Sequence, residues 1–188
     1  MKSSNSSVFE LLESPLFIDK HQFENLWLMK PTKEQHCVLF GQPVVVPRNY
    51  EVYGEQYRFA GQENVAIPVP DILAPYLAYG NSVLLNWYED GSKYIGYHSD
   101  NQNGLIGPVY AFSYGVARNF KFKNKKSGEI DTVVLENNSL LVMKENTQRT
   151  HKHSLPVMKK VTQRRISVTV RTIKNDSVNK NKKRTRGS

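Results

Sequence analysis

His98 and Asp100 stand two residues apart, so on an extended segment their side chains leave the same face and can reach one ion. A third ligand must come from elsewhere. His153, followed by Ser154-Leu155-Pro156, is the candidate, and His151 competes with it because the two would share a face on an extended segment. Two imidazoles and one carboxylate form the donor set that holds non-haem Fe(II) and leaves coordination positions open. A His-x-Asp triplet alone is common and ordinarily marks a surface turn; its weight here comes from its company. Arg165-Ile166-Ser167-Val168-Thr169-Val170-Arg171 alternates polar and apolar with a strand's period of two, which puts Arg165, Ser167, Thr169 and Arg171 on one face. That face lies either in water or at a barrel mouth, where paired arginines suit a dicarboxylate.

The elements that must position these residues are mostly short strands. Runs at Val83–Tyr88, Val109–Ser113, Asn119–Lys123, Thr132–Leu135, Ser139–Met143 and Ile166–Ile173 are separated by turn signals at Asp90-Gly91, Asn103-Gly104, Ser127-Gly128 and Asn137-Asn138. This spacing predicts an all-β sandwich or jelly roll with helices outside. Asp19 caps a predicted helix to about Lys30, with Phe23, Leu26 and Trp27 as its apolar stripe, and Pro70–Leu77 reads as a second short helix. Between them, residues 38–61 interleave aromatic and basic side chains with glycines at the bends. A lid that stacks on bases and touches phosphates needs that pattern, and a plain hairpin with aromatic packing would share it. Residues 1–13 read as a flexible lead, 14–174 as one domain with a lid at about 38–62 and a core at about 82–173, and 175–188 as a disordered basic tail.

The net charge of +9 and pI near 9.6 favour a polyanionic partner. One cysteine, Cys37, rules out an internal disulfide and suits a reducing compartment. No apolar run approaches the roughly 20 residues of a membrane helix, and no secretory leader is visible. The expectation is an intracellular monomer, in nucleus or cytoplasm, with no membrane partner.

Four pieces in order, Asn86-x-Tyr88, His98-x-Asp100, His153-Ser154-Leu155-Pro156 and Arg165-x-x-x-Thr169-x-Arg171, resemble the AlkB-type Fe(II)/2-oxoglutarate-dependent nucleic-acid dealkylases, closest to their double-stranded-DNA branch. The likeness runs from about Phe40 to Ile173. It implies a mainly β fold with flanking helices, the double-stranded β-helix (jelly roll) of the 2-oxoglutarate oxygenases, with an N-terminal nucleotide-recognition lid. It implies Fe(2+) on His98, Asp100 and His153, with 2-oxoglutarate and O2 as cosubstrates, and places His151 at the rim. Arg165 would pair with the distal carboxylate of 2-oxoglutarate, and Asn86, Tyr88 and Thr169 would hydrogen-bond the cosubstrate. Arg171 would hold either its metal-side carboxylate or Asp100. In the lid, Phe40 matches an apolar wedge, Phe59 a ring that stacks on the flipped base, Tyr57 a contact to the base edge and Arg48 a contact to a phosphate or the base pocket. Arg118 matches a basic residue lining the substrate pocket, and Lys159 and Lys160 match residues that face the DNA backbone.

The implied activity is oxidative dealkylation of DNA bases such as 1-methyladenine and 3-methylcytosine, on duplex or single strands, releasing aldehyde, succinate and CO2. RNA demethylation is the alternative; hydroxylation of a protein or small molecule, or nucleic-acid binding without catalysis, stand further off. One departure is plain: relatives commonly follow the iron-binding Asp with acidic residues, and this chain has Asn101-Gln102. That puts the lesion preference in doubt.

Overall fold

Period-two alternation through the second half of the chain becomes two antiparallel sheets in the computed structural model, which describes residues 4–5, 8–39, 41–55, 57–59, 62–64, 67–100 and 104–174. The strands are β1 (Ser4–Asn5), β2 (Phe9–Glu13), β3 (His36–Leu39), β4 (Gln42–Val45), β5 (Asn49–Gly54), β6 (Tyr57–Phe59), β7 (Gln62–Asn64) and β8 (Ser82–Tyr88). They continue as β9 (Ile95–His98), β10 (Leu105–Gly115), β11 (Arg118–Asn124), β12 (Ile130–Leu135), β13 (Ser139–Met143), β14 (His151–Leu155) and β15 (Arg165–Ile173). The larger sheet runs β1-β2-β13-β10-β15-β8-β5 and the smaller β12-β11-β14-β9. They face each other as a double-stranded β-helix, the jelly roll the sequence predicts.

The larger sheet is buried on both faces, by alternate residues of the same strands. Along β15, Ile166, Val168 and Val170 point outward into a cluster with Leu26, Leu73, Tyr76, Val83, Leu85 and Trp87. Helix α1 (Lys20–Leu28) and a 3-10 helix (Asp71–Tyr79) supply the cover on that side. The inner face packs Val109, Ala111, Leu141 and Met143 against Phe120, Phe122, Val133 and Leu155 of the smaller sheet. Asp19 starts α1 with a full capping box: its Oδ1 accepts from the Gln22 N–H while the Gln22 side chain accepts from the Asp19 N–H. The helix stops at Leu28, two residues earlier than expected, and the Lys30 ammonium instead pairs with Glu89 at 3.0 Å. Pro75, with no N–H to donate, sits within the second helix, which is 3-10 throughout.

Two domain boundaries need correction. Residues 9–13 are no flexible lead: β2 pairs with β13 from Phe9↔Met143 to Glu13↔Ser139, and Val8, Phe9 and Leu11 join the inner core. Its alternating Phe9, Leu11 pattern is enough to bury one face once β13 offers an edge. The stretch 38–62 is likewise not one lid. Asn49–Gly54 pairs with β8 inside the larger sheet, leaving β3–β4 and β6–β7 as separate hairpins beside it. Phe40 and the tail 175–188 lie outside the described residues. No helix among the described residues is long and apolar enough to cross a membrane.

Candidate active site

Strands β9 and β14 are neighbours, and their register sets His98 directly opposite His153. The two rings lie 4.2 Å apart, centroid to centroid, at an interplanar angle of 64°. Asp100 follows two residues beyond His98, and one ligand-capable atom from each of His98, Asp100 and His153 lies within 4.8 Å of the others. His98 Nδ1 donates to the Gly96 carbonyl at 2.8 Å, which fixes the tautomer and leaves Nε2 facing Asp100 Oδ1 at 3.8 Å.

The Asp100 carboxylate is held from behind. Arg171 Nε and Nη2 donate to Oδ2 at 3.1 and 2.9 Å, while the buried Oδ1 has no hydrogen-bond partner among the described residues. Burial alone would raise the Asp100 carboxyl, but Arg171 and the two imidazoles outweigh it and hold it well below the usual carboxylate range. Burial pushes His153 down to about 3, helped by His98, and pushes His98 down as well. At neutral pH the cluster is therefore two neutral imidazoles and one carboxylate, the protonation state that binds a divalent cation. With an orphaned carboxylate oxygen facing two imidazoles, the residues fit a 2-His-1-carboxylate metal centre. His151 does not join them; it is buried rather than at the rim, with Nδ1 2.8 Å from Thr150 Oγ1.

The polar face of β15 is buried. Arg165, Ser167, Thr169 and Arg171 line the same cavity as the three ligand candidates, together with Asn86 and Tyr88. The register makes this a consequence of alternation, since Arg165 lies opposite Tyr88 and Ser167 opposite Asn86. Arg165 is 2% exposed. Its Nη2 donates to Ser113 Oγ at 2.8 Å, its guanidinium carbon lies 5.3 Å from the Tyr88 ring centre, and its Nε has no hydrogen-bond partner among the described residues. No salt bridge reaches it from a carboxylate of the described residues. Burial pushes its pKa down to about 10, so it stays cationic at neutral pH. A buried cation with no counter-ion costs several kcal/mol, and a carboxylate arriving in the cavity would relieve it. Arg171 faces Asp100, which leaves Arg165 as the guanidinium open to a ligand carboxylate.

Arg48, just ahead of β5, lies beside this cavity. Its Nε donates to Asn86 Oδ1 at 2.7 Å, and it lines a small cleft with Tyr50, His98, Asp100 and Arg171. Arg118 corrects the sequence reading. It is fully buried, away from the cavity, with Nη1 donating to the Asp90 carbonyl and Nη2 to those of Lys93 and Pro156 at 2.9 and 2.7 Å. A basic residue expected to line the substrate pocket instead ties together two turns, and its burial follows from β11 running through the core. Lys159 and Lys160 are exposed on the turn after β14. The Tyr57 and Phe59 backbones form β6, and their side chains, like Phe40, lie outside the described residues.

Two residues of the site carried no motif in the sequence. Ser113 sits in an otherwise apolar run, and only its register opposite Ser167 explains its inward hydroxyl. Gln148 belongs to the single-turn helix α2 (Thr147–Thr150), and its Oε1 accepts the Asp100 N–H at 2.9 Å.

Known proteins resemble this chain. The DNA oxidative demethylase ALKBH2 of Bos taurus is 33% identical over 156 residues, covering 72% of this chain and 56% of its own. The Homo sapiens ALKBH2 is 33% identical over 156 residues, covering 72% of this chain and 60% of its own, so the chain spans under two thirds of these curated relatives. A solved structure titled "The structure of OsALKBH1" superposes with a TM-score of 0.64 at 14% identity, covering 91% of this chain and 100% of that one, a likeness of fold. The profile of the 2OG-Fe(II) oxygenase superfamily matches residues 71–171, which contain the three ligand candidates and both arginines. That match takes in more than half of the sequence, and the chain belongs to the 2OG-Fe(II) oxygenase superfamily.

Proposed function

We propose that this protein is an oxidative DNA dealkylase that removes alkyl groups from bases such as 1-methyladenine and 3-methylcytosine. One observation carries the reading. A His-Asp-His cluster in ligating protonation states shares its cavity with Arg165, a buried guanidinium that has no carboxylate partner among the described residues. A ligand with a distal carboxylate completes both halves. The DNA assignment rests on the relatives named DNA oxidative demethylase and on the net charge of +9.

Bound Fe(II) with 2-oxoglutarate and O2 supplies the hydroxylation of the alkyl carbon, with succinate, CO2 and finally an aldehyde as products. His98, Asp100 and His153 hold the metal, and Arg171 keeps the Asp100 carboxylate ionised and turned toward the imidazoles. Arg165 pairs with the distal carboxylate of 2-oxoglutarate, while Asn86, Tyr88 and Thr169 offer hydrogen bonds along its length. Arg48, braced on Asn86, faces the entrance where a base would arrive. The hairpins at 36–45 and 57–64 serve as the nucleotide lid, with Phe40, Tyr57 and Phe59 engaging the everted base and Lys159 and Lys160 the backbone. Unstacking a base costs a few kcal/mol, and aromatic stacking worth ~1 to 3 kcal/mol per base offsets much of it. The protein acts as an intracellular monomer, in nucleus or cytoplasm.

The test is mass spectrometry of methylated oligonucleotides incubated with the protein, Fe(II) and 2-oxoglutarate, run in parallel on duplex DNA, single-stranded DNA and RNA. Loss of the methyl group from DNA with matching succinate is expected. Turnover confined to RNA, or succinate formed with no oligonucleotide changed, overturns the assignment.

A further inference from the structure

The segment carrying His98 and Asp100 and the segment carrying His153 are joined by more than their strand pairing. Asp100 lies beyond the end of β9, so no ladder hydrogen bond of that strand fixes it. Its N–H instead reaches across to Gln148 Oε1 at 2.9 Å, and one residue earlier Ser99 Oγ donates to the His151 carbonyl at 2.8 Å. Both acceptors belong to the turn of α2 and the first residue of β14, two to five residues ahead of His153. Gln148 is 6% exposed, and its amide nitrogen and main-chain carbonyl have contacts of their own. Its Nε2 lies 3.7 Å from Met143 Sδ, and its carbonyl accepts the Lys125 ammonium at 2.7 Å. The turn is anchored in its own right, since Thr147 Oγ1 donates to the Val8 carbonyl.

From this geometry we infer that Gln148 is a positioning residue for the metal centre, acting through Asp100. Arg171 grips Oδ2 from one side, and Gln148 fixes the backbone from which the carboxylate projects. Together they aim Oδ1, which has no hydrogen-bond partner among the described residues, at the two imidazoles. A side-chain carbonyl is needed because the atom to be met is an N–H. The length of glutamine is needed because the acceptor must cross from α2 to the strand end. The inference deepens the proposed function and rests on the three ligands binding a divalent cation.

The experiment titrates the apo protein with Co(II) and follows both affinity and the visible ligand-field bands. Outer partners of metal ligands typically control affinity by about 10- to 100-fold. Gln148→Met, which keeps length and burial but removes the acceptor, is expected to weaken Co(II) binding at least tenfold and to shift the bands. Gln148→Glu, which retains an oxygen at the same reach, is expected to restore the wild-type band positions. Co(II) affinity of Gln148→Met within twofold of wild type, with unshifted bands, overturns the inference. A wild-type protein that binds no Co(II) instead defeats the metal-centre reading itself. Amide exchange on the wild-type apo protein needs no variant and decides the matter if Gln148→Met does not fold: the Asp100 N–H is expected to be protected, and exchange at the rate of a free amide overturns the inference.

Discussion

At the scale of single residues, what separates a functional group from a structural one is what it lacks. Arg118 and Arg165 are both fully buried guanidinium groups near Tyr88, yet Arg118 donates to three backbone carbonyls and Arg165 to one hydroxyl. Arg165→Met is therefore expected to leave the thermal midpoint of the apo protein unchanged or raised, because it removes an uncompensated buried charge. It should also raise the KM for 2-oxoglutarate tenfold or more, since a hydrogen bond to a charged group is worth about 1.5 to 3 kcal/mol. Arg118→Met is expected to do the reverse. Stranding three carbonyls should cost about 3 kcal/mol or more in denaturant unfolding, with cosubstrate KM in the surviving folded fraction unaltered. His98→Ala or Asp100→Ala should abolish succinate formation while leaving DNA binding largely intact, as gel-shift and turnover assays would show. Asp100→Ala carries a further cost of about 3 kcal/mol in the apo protein, because Arg171 loses the carboxylate it faces. The His98-x-Asp100 pair and the two inward arginines were legible in the sequence because a period of two is a local property, whereas the choice of His153 over His151 came from the resemblance. The difference between Arg118 and Arg165 was not, since it depends on which carbonyls the fold brings within reach.

At the scale of elements, strand pairing converts spacing into geometry. The period-two reading of β15 put four polar residues on one face, and the structure adds that both faces are buried, with a cavity on the polar side. No residue of β15 reveals this alone; it requires α1 and the 3-10 helix to cover the apolar side. The turn after β8 shows the same dependence on tertiary contact. Gly91 accepts from the Met158 N–H and donates to the Val161 carbonyl, so its backbone lies flat against the turn that carries Lys159 and Lys160. A Cβ at Gly91 would collide with the Met158 carbonyl oxygen. Gly91→Ala is thus expected to destabilise by about 1 to 3 kcal/mol and to shift the backbone at 158–161. The checks are the denaturation midpoint and amide chemical shifts in that turn. Asp19→Ala, which removes the α1 cap, should cost about 1 kcal/mol with turnover unaffected. The Asp19 cap was read from the sequence, while the reciprocal bond from Gln22 emerged only in the structure; the two-residue shortening was not legible, because Lys30 leaves the helix to meet Glu89 from a distant turn.

At the scale of the whole molecule, the jelly roll takes its three ligand candidates from β9, its immediate continuation and β14 of the smaller sheet and its two inward arginines from β15 of the larger one, so the complete cavity forms only when the two sheets face each other. Sequence order alone supplied the sheet content and the motif positions. It missed the contribution of residues 9–13, whose strand has only the two residues of β1 as a local partner and is paired along its whole length by the distant β13. That strand also shields the flank of the larger sheet. Removing residues 1–13 would leave the Leu140, Leu141 and Val142 backbone with one row of amides and carbonyls bare, a template onto which another copy could add. Such a truncation should drive concentration-dependent self-association detectable by light scattering, and expression trials that trim the amino-terminal end for convenience would select for inclusion bodies.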